Sequence, residues 1–214
     1  MEIPSIGRLA CLVTVFGLGQ FFLLTFLAAL FYPGGYDYFG YYFSDLGALA
    51  ARNGETNLIS SKLFFVALTV NALAIIPFWL IIRSLFTESK VEKVLSTLGS
   101  ALGLISSPFI IGVALFPIDT QLETHILVTL IFFSLFVLAT LLYSIAIILN
   151  QNYPNYFGLV GLVLFAISLV ILMDPLAPQV ALLQTIVTYG YFIWVLIPIF
   201  LIWHLVRPEN SISA

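Results

Sequence analysis

Polar positions in this chain fall in short clusters, and the apolar stretches between them are long enough to cross a bilayer. Residues 9–36 hold no charge, and only Thr14, Gln20 and Thr25 interrupt their apolar character before Pro33-Gly34-Gly35 ends the run. Lys62 and Arg83 bracket twenty uncharged residues, with Pro77 placed to kink the span where neighbouring groups can satisfy the freed carbonyl. Residues 94–118 are uncharged and rich in small side chains. The next run, 126–173, has no charge in 48 residues, too long for one span, and Asn150-Gln151-Asn152-Tyr153-Pro154-Asn155 divides it with strong turn formers. Asp174-Pro175 closes the fifth stretch, and residues 180–206 form the sixth. Since about 20 apolar residues span a hydrocarbon core, the pattern predicts an all-α, polytopic bundle of six transmembrane helices in a single domain, residues 1–214.

Composition agrees. The chain is 62% hydrophobic and 8% charged, with mean hydropathy +1.15, far from the roughly 25% charged residues of a soluble domain. Seven Lys and Arg are too few for a nucleic-acid surface, which needs clustered cations. Cys11 is the only cysteine, so no intrachain disulfide or dithiol pair can form. The first apolar run carries no small-residue cleavage site behind it, so it is expected to stay as an anchor.

Six spans put both termini on one side. With the ends cytoplasmic, Arg8, Arg83, Lys90, Lys93 and Arg207 lie inside against Arg52 and Lys62 outside, the bias that the positive-inside rule favours. The same orientation sends Asp37, Asp45, Glu55, Asp119, Glu123 and Asp174 outward, six of ten carboxylates, together with His125.

Candidate chemistry therefore gathers at the outer face. Ser44-Asp45-Leu46-Gly47 ends a segment crowded with Tyr36, Tyr38, Phe39, Tyr41, Tyr42 and Phe43, a composition suited to the water–lipid interface. Asp45 there must find a partner or cap a short interfacial helix. Thr120-Gln121-Leu122-Glu123 matches a capping box at the start of the fourth helix. His125 heads a polar stripe with Thr129, Thr140 and Ser144, and a hydrogen bond to a carboxylate such as Asp119 is its simplest role. Ser44, Asp45, Lys62, Asp119, His125 and Asp174 are the candidate binding residues. Asp45, Asp119 and Asp174 offer oxygen ligands for a hard cation, but their spacing specifies none, so no metal and no cofactor is assigned. Gly99 and Gly103 form a G-x-x-x-G pair whose meaning is close helix approach, within the chain or in an oligomer. Asn71, Gln20 and Gln184 are isolated intramembrane amides. No G-x-S-x-G, H-E-x-x-H, glycine-rich phosphate loop or C-x-x-C occurs, leaving the corresponding enzyme classes without support.

The run Phe43-Ser44-Asp45-Leu46-Gly47-Ala48 after the first helix, with Phe116-Pro117-Ile118-Asp119 and then His125, resembles an uncharacterised prokaryotic six-helix membrane family. That family is similar to the FRAG/DRAM/Sfk-like group, which includes a factor in remodelling GPI-anchor lipids and modulators of autophagy. The resemblance implies that Ser44, Asp45, Gly47, Asp119 and His125 group near one face of a prokaryotic cytoplasmic membrane. It implies no established reaction. Three functional classes follow: a protein that binds or modifies a lipid headgroup at the outer leaflet, a small-solute or proton-coupled transporter, and a membrane scaffold without a small-molecule site.

Overall fold

In lipid, every backbone N–H and C=O must be satisfied inside its own segment, and the uncharged runs accordingly become helices. The computed structural model describes residues 5–205. The α-helices are α1 (Ser5–Leu30), α2 (Leu58–Ala74), α3 (Ile76–Ile81), α4 (Lys90–Leu115), α5 (Leu122–Leu149), α6 (Asn155–Met173) and α7 (Val180–Leu205). Counting α2 and α3 with the following turn as one broken span, six helices among the described residues are long and apolar enough to cross a membrane. Among the described residues there is no strand, only an isolated bridge between Ala50 and Thr56. Arg207, part of the charge count above, lies outside the described residues.

The break in the second span follows from Pro77. α2 stops at Ala74, and Pro77 falls in the first turn of α3, where its missing N–H is one the helix would leave unpaired anyway. The first helix ends at Leu30, just before the expected Pro33-Gly34-Gly35 stop, and Gly34 and Gly35 carry the chain away with φ of 78° and 88°. Only glycine takes up such angles without steric cost.

Two similar sequence motifs behave differently. Thr120-Gln121-Leu122-Glu123 does not form the expected capping box: α5 starts one residue later, with Gln121 as its N-cap and no side-chain cap. The amides of Thr120 and Gln121 instead close on the Pro117 carbonyl at 3.3 and 2.9 Å, so the proline turn takes up the residue that would have capped. Ser89-Lys90-Val91-Glu92 does cap α4. Ser89 Oγ accepts the Glu92 amide at 3.1 Å and donates to Glu92 Oε1 at 3.1 Å. Glu92, in a polar turn by sequence, is 3% exposed because Asn150 Nδ2 at the end of α5 donates to its other oxygen at 2.7 Å.

Small residues allow the helices to close up. A Cβ on Gly99 would lie 2.8 Å from the Tyr143 ring and one on Gly103 2.2 Å from Trp79, so the faces expected to serve close approach or an oligomer are occupied within the chain. Around Trp79, Tyr143 and Trp194 lies one apolar cluster, around Phe21, Phe43 and Phe64 another, and Phe132 and Phe192 pack against both.

Candidate functional site

Three connections, residues 31–57, 116–121 and 174–179, meet at one end of the bundle, and their polar residues hold them together. The aromatic segment turns through a short 3-10 helix, Phe43–Gly47. Asp45, 3% exposed, accepts the Tyr42 amide at 2.8 Å and is gripped by Arg52, Nε at 3.1 Å and Nη2 at 2.8 Å. All three donors converge on one oxygen, Oδ2, so the contact is a charge-assisted ion pair on a single carboxylate oxygen. Arg52 also lies 5.7 and 5.6 Å from the ring centres of Tyr41 and Tyr42. Burial lifts the Asp45 carboxyl above its usual range, and the Arg52 hydrogen bond and charge pull against that. Burial is the larger influence, because Arg52 is itself half exposed and its charge is partly screened.

Asp119 does not meet His125. Its Oδ2 accepts the amides of Leu49 and Ala50 at 3.0 and 2.9 Å, tying the α4–α5 connection to the first one. Asn57 completes that loop by donating to the carbonyls of Leu46 and Ala48. The Tyr42 hydroxyl donates to the Leu176 carbonyl, which brings in the α6–α7 connection. His125, 4% exposed, places Nδ1 2.6 Å from the Phe116 carbonyl. A carbonyl only accepts, so Nδ1 carries the proton, and in the neutral ring Nε2 is left as an acceptor. Lys62 and Asp174 are exposed, Lys62 on α2 and Asp174 at the C-terminal end of α6.

Behind this knot lies a cavity of about 100 Å³ between α1, α2, α4, α5 and α7. Ser44, His125, Pro175 and Leu176 stand at its loop end, and its walls are mostly apolar, including Phe64, Leu68, Val113 and Phe136. It sits where the two apolar clusters adjoin, since Phe132 and Phe192 line it too. Besides Ser44 and His125, the polar side chains Asn71, Thr129, Gln184 and Thr188 reach it from the helices, and so does Tyr191, whose hydroxyl is paired with Ser168. Of these, buried Asn71 has no hydrogen-bond partner for either side-chain atom, and neither has the shielded Oγ1 of half-buried Thr129. Gln20 has a structural task instead, bridging α1 to α2 through the carbonyls of Gly17 and Ala67 at 2.9 and 3.0 Å.

The structure thus separates the six expected residues. Ser44 and His125 line the cavity, Asp45 and Asp119 brace the loops above it, and Asp174 and Lys62 do not line it. Among the described residues no group of three or more His, Cys, Asp or Glu is placed to hold a metal. Sequence reasoning did not single out Arg52 as the partner of Asp45, although it is the basic residue nearest to it in the chain and in the same connection.

A family model described as a protein of unknown function, DUF998, matches residues 15–201. The chain belongs to the DUF998 family. No curated protein and no solved structure matches it. The matched DUF998 region runs from within α1 to within α7, so it contains all three connections and every wall of the cavity.

Proposed function

We propose that this membrane protein binds an amphiphilic lipid, taking a short stretch of its apolar chain into the cavity and holding its polar head beside Ser44 and His125. The carrying observation is the placement of a mostly apolar cavity directly behind a polar rim at one end of the bundle. Apolar walls with a few placed polar groups are the usual lining of small-molecule sites, and a volume of about 100 Å³ suits a short stretch of chain rather than a whole ligand. Nε2 of His125 suits a headgroup hydroxyl, because its partner nitrogen is committed to Phe116. Tyr42 and Phe43 close over the loop end, and aromatic rings at that depth are at home between water and lipid. The resemblance of the Phe43–Ala48 and Phe116–Asp119 motifs to a prokaryotic six-helix family similar to the FRAG/DRAM/Sfk-like group points the same way, as does the outward orientation expected from the charge bias.

The test is lipid retention. The full chain is purified from its membrane in mild detergent, and bound lipid is quantified by mass spectrometry beside Val113→Trp, which fills the cavity from α4. Wild type is expected to retain lipid that the variant loses at an unchanged melting temperature. Equal retention by the two would refute the reading.

A further inference from the structure

Asn71 is an anomaly in the cavity wall. It is 1% exposed, and neither Oδ1 nor Nδ2 has a hydrogen-bond partner. An amide inside a membrane bundle usually bridges helices, and Gln20 does so on the same α1–α2 pair by donating to Ala67, one turn from Asn71. Asn71 makes no such bridge. Leaving a buried donor and acceptor unmet costs about 1–3 kcal/mol for each, and an apolar side chain would pack here without that cost.

Depth narrows the choice of partner. Asn71 lies thirteen residues beyond Leu58 in a span of 28 residues, Leu58–Leu85. At 1.5 Å per residue that is about 20 Å along the helix, well inside a hydrocarbon layer about 30 Å thick. Headgroups do not reach there, and the side chain lines the cavity. Thr129 Oγ1, on α5 one turn below His125, is also unpartnered and lines the same space. The polar groups of the wall therefore extend from the rim into the hydrophobic interior.

We infer that the ligand's hydrophobic part carries a hydroxyl, and that Asn71 recognises it. A hydroxyl both accepts and donates, so it serves either atom of the amide, whereas a plain hydrocarbon chain leaves both atoms unsatisfied. This inference rests on the lipid-binding reading above and adds a selectivity to it: a chain that carries a hydroxyl where it passes Asn71 binds better than a saturated one.

The experiment is a competition between two probes, methyl stearate and its mid-chain hydroxyl derivative, on the full chain in detergent micelles, with occupancy read by native mass spectrometry. Wild type is expected to favour the hydroxylated ester about tenfold, the equivalent of one hydrogen bond of ordinary net strength. Asn71→Leu is expected to bind both esters alike. Comparing the two proteins in the same micelles cancels the probes' different partitioning. Asn71→Ala, which leaves space rather than filling it, serves if the leucine variant does not fold. A wild type without preference, or a preference that survives both substitutions, overturns the inference while the lipid-binding reading stands. Failure of wild type to bind either probe overturns both.

Discussion

Gly17 and Gly19 stand two residues apart on α1, and alanine at the two positions should have opposite effects. A Cβ on Gly17 would lie 2.2 Å from the Cβ of Ala74 on α2, whereas one on Gly19 would meet nothing within 4 Å. Apolar carbons settle at about 3.5–4.0 Å, so Gly17→Ala must drive the helices apart by roughly 1.5 Å. The Gln20 bond to the Ala67 carbonyl, 3.0 Å long, crosses the same interface and would be lost at that separation. Overpacking costs about 1–3 kcal/mol, and the broken bond adds about 1 kcal/mol. Both substitutions gain about 0.5–1 kcal/mol from removing a glycine from a helix interior. Gly19→Ala should therefore melt at or above wild type, and Gly17→Ala should lie about 2–4 kcal/mol below Gly19→Ala. Thermal melts of the purified variants in one detergent, followed by circular dichroism, measure the difference. Coincident midpoints would show that α1 and α2 are not packed as closely as described.

Two further predictions concern the polar ties. Asn150→Leu removes the donor to Glu92, which is 3% exposed, and should cost about 2–3 kcal/mol; adding Glu92→Leu should restore most of it in the same melts, since replacing both partners leaves no unmet charge, and a single variant as stable as wild type would discount the tie. For Asp45 the sign follows from burial outweighing Arg52: the folded carboxyl holds its proton above the unfolded value of 3.8, so its contribution to stability is largest below that pH and is lost as pH rises through the raised value. Wild type should gain on Asp45→Asn as pH falls and stop gaining below 3.8; a wild type that instead loses ground on acidification would mean that the Arg52 pair dominates.

The parts legible in the sequence were those set by local chemistry. Charge-free runs and the Asn150–Asn155 turn located six spans, and Pro77 located the break in the second. The Ser44-Asp45 segment was recognisable as a place where an acid needs a partner. Which partner was not: Arg52 serves, while Lys62, further along and already on α2, is exposed. The two S/T-x-x-E motifs show the same limit, because Pro117 shifts the start of α5 by one residue and disables one box, and only the position of Asn150 shows that Glu92 is buried rather than solvated.

That six stretches are helical and long enough to span a membrane is therefore determined by the chain alone, since a bilayer demands internal hydrogen bonding and a certain apolar length. Which face of each helix turns inward is not, because helices that are apolar on every side carry no amphipathic stripe to orient them. Packing decides it, through the glycines that admit Trp79, Tyr143 and Ala74. That choice of faces turns Asn71 and Thr129 into a shared cavity and commits Asp45 and Asp119 to bracing its roof.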